Sequence, residues 1–177
     1  MATSTKVINS TADYALGYSN AEHDRLIRQS TLIAPVTERL FREAGIGAGQ
    51  RVLDLGSGLG DVSMLVARLV GPSGEVVGID RDANSISRAR ERVAAMGFRN
   101  VGFMQADVND LAGDKPFHGV VGRFILMFLP DPLSVLGSAV RLVRPGGVLA
   151  FQEASWVGML AMAAKLPLWS RVLGAIH

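Results

Sequence analysis

Three short stretches of this sequence carry groups that could hold a small polar molecule. The first is the glycine-rich run at residues 56–60, which follows Asp54. The second is Asp80 with its neighbour Arg81, and the third is Asp107. Glycine permits positive φ and lets the backbone approach a ligand closely, while carboxylates accept hydrogen bonds from hydroxyl and amino groups. This chemistry suits a ligand that carries sugar hydroxyls and amines.

The residues around these stretches alternate between apolar strands and amphipathic helices. Short apolar runs predict strands, and apolar residues at three- and four-residue spacing predict helices. The predicted strands cover residues 51–55, 75–79, 100–105, 119–124 and 148–152. We therefore expect an α/β fold with a doubly wound, mainly parallel sheet and helices on both faces. Ligands bind at the carboxyl ends of such strands, which is where the three stretches lie.

Local signals also predict where several helices begin and end. Residues 21–44 predict a helix that contains Pro35 and ends at the glycines that follow it. Residues 82–96 predict a second helix, and a proline on each side of Asp131 predicts a helix start with Asp131 as its N-cap. Residues 145–147 predict a turn into the fifth strand.

Each of the three stretches also has a purely structural interpretation when it is taken alone. A glycine-rich turn can simply connect a strand to a helix, and an aspartate before a helix is often its N-cap. Asp80 and Asp82 come at the start of the second predicted helix and could cap it, and Asp107 could also be a cap. Three such groups at three successive strand ends favour a ligand site over unrelated turns and caps.

A dinucleotide is the nearest alternative ligand, because it uses the same turn and the same ribose-binding acid. Its motif needs glycines at the first, third and sixth positions, whereas here the sixth position counted from Gly56 is Asp61. In addition, Asp54 lies two residues before the first glycine. A carboxylate beside a pyrophosphate is unfavourable, but beside an ammonium group it is favourable. The pattern therefore favours a ligand with an amino acid end.

The ordered series of motifs resembles the class I S-adenosylmethionine-dependent methyltransferases of the small-molecule type. The resemblance runs from about residue 50 to 153 and is carried by residues 52–60, 74–80, 105–107, 123–127 and 144–149. It implies a Rossmann-like methyltransferase fold with S-adenosylmethionine as cofactor. It also implies an enzyme that transfers a methyl group to a small-molecule acceptor.

The resemblance further implies roles for individual residues. The three glycines of the turn would line the methionine part of the cofactor, with Asp54 supporting that end. Asp80 would hold the ribose, and Asp107 would bind the adenine amine with Val108 beside the ring. Arg123 begins a segment that passes the methionine part and faces the acceptor. The candidate cofactor-binding residues are Asp54, Gly56, Ser57, Gly58, Gly60, Asp80, Arg81, Asp107, Val108, Arg123, Tyr18 and Gln29.

Tyr18 and Gln29 belong to this set because the stretch that contains them resembles the lid of small-molecule members. We expect three segments: lead-in and lid helices at 1–45, the cofactor-binding core at 46–153 and an apolar helical tail at 154–177. The complete fold of the family continues with a helix and two more strands, for which 154–177 is too short. We therefore expect a fold truncated after its fifth strand, and self-association through the apolar tail or the edge of that strand.

Composition excludes several other classes of protein. The 177 residues suit one domain, and the net charge of +2 comes without any run of like charges, so no nucleic-acid partner is expected. The absence of cysteine excludes thiolate metal sites and a cysteine nucleophile, and no paired-histidine spacing suggests a metal. No signal peptide and no apolar run long enough to span a bilayer are evident, which predicts a cytoplasmic protein.

Two alternative functions remain open at this stage, and neither the catalytic residues nor the acceptor atom can be assigned. The chain could be a catalytically weak module that binds the cofactor or a partner. Less favoured, because of the glycine spacing, is an NAD-dependent oxidoreductase.

Overall fold

The computed structural model of the protein describes residues 20–111 and 115–155. The described residues form four α-helices and five β-strands, which alternate after the first helix except that β4 follows β3 without an α-helix between them. In chain order the elements are α1 (Asn20–Glu43), β1 (Arg51–Leu55), α2 (Asp61–Val70), β2 (Glu75–Asp80), α3 (Ala83–Ala95), β3 (Val101–Gln105), β4 (Phe117–Arg123), α4 (Pro132–Leu142) and β5 (Val143–Gln152).

The five strands form a parallel sheet in the order β3-β2-β1-β4-β5. The order reverses between β1 and β4, which is the point where open sheets of this kind bind ligands. The predicted doubly wound α/β fold is therefore confirmed.

Helices cover both faces of the sheet because side chains alternate along each strand. Val52 of β1 packs with α1 and α2 in one buried cluster, whereas its neighbour Leu53 packs with α4 in another. On the first face, Phe103 of β3 joins a third cluster with α3. Helices α1, α2 and α3 thus lie on one face and α4 lies on the other.

The helix boundaries follow the predicted capping residues. Asp82 accepts a hydrogen bond from the N–H of Ser85 at 2.7 Å, and Asp131 accepts one from the N–H of Ser134 at 3.0 Å. Each aspartate satisfies a backbone donor that the first turn of its helix leaves free. Helix α1 continues through Pro35, as predicted.

Strands β4 and β5 differ most from the prediction. Strand β4 begins at Phe117 and ends at Arg123, because Phe124 has a φ of 55° and cannot continue an extended strand. Strand β5 begins at Val143, well before the predicted start at residue 148. Its pairing with β4 jumps from Phe117↔Val143 to Gly119↔Val148, so the predicted turn at 145–147 forms an irregularity inside the strand.

Some expectations concern residues that lie outside the described part of the chain. Residues 156–177 include most of the predicted tail, so the truncation after the fifth strand and self-association through this tail stay predictions. The proposed segment boundaries at 45 and 153 also stay predictions. Among the described residues, no helix is both long and apolar enough to cross a membrane.

Gly78 of β2 lies where the sheet packs tightly against its neighbours. A Cβ at Gly78 would lie 2.6 Å from Phe103 Cδ1 and 2.8 Å from Ser63 Oγ, which belong to β3 and α2. We expect Gly78→Ala to lower the free energy of unfolding by about 1–3 kcal/mol in urea denaturation. Gly102→Ala is the matched control, because a Cβ at Gly102 meets no atom within 4 Å. Equal losses in both variants would contradict this account.

Candidate functional site

The three stretches singled out in the sequence meet at the carboxyl edge of the sheet. The N–H of Gly58 donates to Asp80 Oδ2 at 2.8 Å, and the N–H of Ser57 donates to the carbonyl of Ile79 at 2.8 Å. On the next strand, the N–H of Ala106 donates to the carbonyl of Asp80 at 3.1 Å. The ends of β1, β2 and β3 therefore form one continuous surface.

The three glycines of the turn have different structural reasons to be glycine. Gly56, Gly58 and Gly60 all have positive φ, at 65°, 50° and 82°. A Cβ at Gly56 would lie 2.5 Å from Ile125 Cδ1, and one at Gly60 would lie 2.9 Å from Phe103 Cζ. A Cβ at Gly58 would meet nothing within 4 Å. Packing thus fills the space beside Gly56 and Gly60, whereas the space beside Gly58 is open to a ligand.

Both carboxylate oxygens of Asp80 are held by backbone donors. Oδ2 accepts from Gly58, and Oδ1 accepts from the N–H of Asp82 at 2.9 Å. Burial raises the pKa of Asp80, although these two hydrogen bonds oppose the shift. A carboxylate has about four acceptor sites, so Asp80 is oriented by the fold and retains acceptor capacity for a ligand.

Asp107 has two sets of partners in the structure. Its Oδ1 accepts from the backbone N–H and the side-chain amide of Asn109, at 2.9 and 3.0 Å, and its Oδ2 accepts from Arg81. Burial by itself would raise the pKa of Asp107, but these hydrogen bonds outweigh it and hold the pKa below its ordinary value. Asp107 is therefore both the cap of a short 3-10 turn and an ionised, partly exposed acceptor.

Val108 follows Asp107, and its side chain packs in the buried cluster on the α4 face. Its predicted place beside an adenine ring is not tested by this packing and stays a prediction. The predicted cofactor-binding role of Gln29 on α1 also stays a prediction. Its side-chain oxygen accepts a hydrogen bond from Arg25 at 3.3 Å. Tyr18 lies outside the described residues.

Asp54 lies beneath the turn and is almost completely buried, at 1% exposure. Its Oδ2 accepts from the hydroxyl of Ser63 on α2 at 2.6 Å. Burial raises the pKa of Asp54 to about 7, with the Ser63 hydrogen bond and the charge of Arg123 acting against it. Near neutral pH this carboxyl is therefore ionised in only part of the molecules, because desolvation makes its charged form costly.

Arg123, at the end of β4, joins the sheet to α1. Its guanidinium donates to Ser30 Oγ at 2.8 Å and to Thr37 Oγ1 at 3.2 Å. Burial lowers the pKa of Arg123, and the nearby charge of Asp54 opposes that shift. Thr37 in turn donates to Gln152 Oε1 at the end of β5, at 2.5 Å. Arg123 and Thr37 thus fix α1 against the edge where the site lies.

Sequence reasoning missed Glu153, which follows β5 at the same edge. Its Oε1 accepts from the N–H groups of Ile125 and Leu126 at 3.0 and 2.9 Å, so it holds the segment after β4 in place. The rule that selected Asp80 and Asp107, an acid directly after a strand, would also have selected Glu153. Within the described part of the chain, Ser57 Oγ and Glu153 Oε2 are buried without a hydrogen-bond partner.

The known proteins that this chain resembles are methyltransferases. A family model described as a methyltransferase domain matches residues 46–173. An arsenite methyltransferase of Halobacterium salinarum is 36% identical over 111 residues, which cover 62% of this chain and 28% of that protein. A demethylmenaquinone methyltransferase of Staphylococcus aureus is 34% identical over 119 residues, which cover 67% of this chain and 48% of that protein. The chain thus spans less than half the length of these two relatives.

A solved structure of similar fold supports the same relationship. The crystal structure of a SAM-dependent methyltransferase from Aquifex aeolicus superimposes with a TM-score of 0.68 at 27% sequence identity. The superposition covers 76% of this chain and 72% of that chain. The described sheet and its helices therefore have the Rossmann-like methyltransferase fold.

The buried carboxyl of Asp54 makes folding stability depend on pH. Because burial raises its pKa from 3.8 to about 7, the folded protein retains a proton between these values that the unfolded chain has released. Stability is therefore lost as pH rises. Asp54→Asn removes this dependence, so relative to wild type the variant should gain about 2–3 kcal/mol of unfolding free energy between pH 5 and 8.

Urea denaturation of both proteins at several pH values measures this difference. Asp24→Asn, which removes the charge of an exposed aspartate on α1, serves as the control. Wild type and Asp54→Asn curves that stay parallel from pH 5 to 8 would show that Asp54 titrates normally in the folded protein.

Proposed function

The chain belongs to the methyltransferase-domain family, and from that premise we propose that it transfers the methyl group of S-adenosylmethionine to a small-molecule acceptor. The observation that carries the proposal is the pair of hydrogen bonds from Gly58 and Asp82 to Asp80. They hold the carboxylate of Asp80, which would bind the ribose, between the glycine-rich turn and the start of α3. A cytoplasmic location forms part of the same proposal.

The ribose would bind at Asp80. Two of the acceptor sites of this carboxylate are used by backbone N–H groups, and the others suit the two hydroxyls of a ribose. Charged hydrogen bonds of this kind are stronger than neutral ones. Asp80 would thus bind the ribose in a fixed orientation.

The adenine amine would bind at Asp107, beside Arg81. Oδ1 is occupied by Asn109, whereas Oδ2 has one partner, Arg81, whose side chain is 61% exposed. The amine would share Oδ2 with this arginine or take its place. We therefore assign Arg81 to the cofactor site as a group that, together with Asn109, keeps Asp107 ionised.

The amino acid end would lie along the turn at Gly58. The space beside Gly58 is open, and the buried hydroxyl of Ser57 has no partner within the described residues, so it is available to a ligand. An ammonium group bound at the turn would be attracted to the ionised form of Asp54 below it and would favour that form. The N-terminus of α2, which begins at Asp61, favours a carboxylate nearby.

When bound, the cofactor would supply a methyl group on a positively charged sulfonium sulfur, which leaves as a neutral thioether when the acceptor takes the methyl group. The protein then contributes mainly by aligning the acceptor and excluding water. Arg123 holds α1 near the end of β4. In this position α1 would form one wall of the acceptor space. No residue is assigned as a general base.

The acceptor is proposed only as a small molecule. The two relatives are named for arsenite and demethylmenaquinone, which differ greatly in size and chemistry. Arsenic(III) is a soft centre that prefers thiolate ligands, and this sequence contains no cysteine. The 177 residues therefore lack the thiolates that would bind arsenite, which disfavours arsenite as the methyl acceptor.

Calorimetric titration with S-adenosylhomocysteine tests the cofactor assignment. We expect Asp80→Ala to weaken binding by about 1.5–3 kcal/mol, which corresponds to roughly 10- to 150-fold. Asp131→Ala is the matched control, because Asp131 also accepts a backbone hydrogen bond before a helix but lies at α4. Unchanged affinity in Asp80→Ala, or tighter binding of NAD than of S-adenosylhomocysteine by wild type, would contradict the proposal.

Turnover is tested separately, by following transfer of a radiolabelled methyl group from S-adenosylmethionine to a metabolite extract. Labelled products of low molecular mass are expected. Binding of the cofactor without any transfer would instead identify the chain as a binding module, and transfer to macromolecules alone would exclude a small-molecule acceptor.

A further inference from the structure

An arginine of α3 binds the glycine-rich turn and the first residue of α2. Arg92 Nη1 donates to the carbonyl of Leu59 at 2.6 Å and to Asp61 Oδ2 at 3.1 Å, and its Nη2 donates to Asp61 Oδ1 at 2.7 Å. One guanidinium therefore binds a backbone oxygen and a carboxylate on either side of Gly60.

Gly60, between the two residues that Arg92 binds, is a flexible position of the turn. With a φ of 82° and no Cβ it has many alternative conformations available in the absence of constraints. On one side it packs against Phe103 and Ala89, and its N–H donates to the carbonyl of Ser57 at 2.8 Å. The bond from Arg92 to the Leu59 carbonyl fixes the orientation of the peptide that links Leu59 to Gly60.

The ion pair between Arg92 and Asp61 has the chemistry of a fixed contact, not of a loose surface contact. The side chains of Arg92 and Asp61 are only 21% and 18% exposed, so solvent screens their charges less than at an open surface. Arginine presents its donors in a planar fork that matches a carboxylate with two parallel hydrogen bonds. Lysine keeps the charge but cannot reproduce the fork together with the third bond to Leu59.

We propose that Arg92 is a positioning residue that, with Asp61, holds the glycine-rich turn in the conformation that binds the amino acid end of the cofactor. The inference rests on the proposed function, because it names what the turn binds. Arg92 acts through Leu59 and Asp61 and does not itself touch the cofactor.

Two ligands separate this role from a general effect on folding. S-adenosylhomocysteine carries both the nucleoside and the amino acid end, whereas 5′-methylthioadenosine carries only the nucleoside. Arg92→Gln should weaken binding of S-adenosylhomocysteine by about tenfold or more. It should weaken binding of methylthioadenosine only about twofold, because Asp80 keeps its bond from Asp82, outside the turn, and Asp107 keeps its partners Asn109 and Arg81. Titration calorimetry of both ligands, with thermal unfolding of each variant, measures the two effects.

Arg90→Gln is the matched control. Arg90 lies on the same helix and donates to the carbonyl of Phe103 at 2.6 Å, so its loss also removes a charged bond to a backbone oxygen. We expect Arg90→Gln to lower the unfolding temperature without changing the ratio of the two affinities. Two milder variants keep the test possible if Arg92→Gln fails to fold. Arg92→Lys keeps the charge and Asp61→Asn keeps the shape of the side chain, and each should change the ratio in the direction expected for Arg92→Gln.

A variant of Arg92 that weakens both ligands equally, or neither, would overturn the inference while leaving the proposed function intact. Failure of the wild-type protein to bind S-adenosylhomocysteine at all would instead overturn the proposed function. The two failures are therefore distinguished by the wild-type titration.

Discussion

The site depends on the hydrogen bond from the backbone N–H of Gly58 to the carboxylate of Asp80. It joins the turn after β1 to the end of β2, and together with the bond from Asp82 it fixes how the carboxylate is oriented. Asp80 is partly buried, so without these donors its charge would be poorly solvated and its direction undefined. The same bond fixes Gly58 at the point where the turn has open space beside it.

A second constraint comes from two ionisable groups, one acidic and one basic, that the fold buries close to the sheet edge. The carboxyl of Asp54 is hydrogen-bonded to Ser63, and the guanidinium of Arg123 to Ser30 and Thr37, so each charge has polar partners on a different helix. Burial of ionisable groups costs free energy unless such partners compensate. The arrangement places α1 against the carboxyl edge, and the position of that helix therefore depends on the same residues as the electrostatics of the site.

The similarity to arsenite and demethylmenaquinone methyltransferases separates two parts of the molecule. About a third of aligned residues are identical, yet the names of these relatives refer to chemically unrelated acceptors. What the relatives share is thus a scaffold, and a scaffold alone does not specify an acceptor. The cofactor assignment rests on the strand ends β1 to β3, whereas acceptor choice would depend on α1 and on the segments after β4 and β5.

The sequence by itself determined the features that arise from short-range patterns. Apolar periodicity predicted the five strands and their helices, local capping signals predicted Asp82 and Asp131 at helix starts, and parallel topology predicted that the glycine-rich turn, Asp80 and Asp107 share one edge. Only the tertiary structure decided the contacts between residues far apart in the chain. Arg92 binds Asp61 across 31 positions, and Arg123 binds Ser30 across 93. Local spacing contains no signal for such pairs, because the packing of whole helices brings them together. Asp54 is a similar case, because its motif does not show how deeply it is buried. The structure packs it against α2, where it bonds to Ser63, and burial raises its pKa.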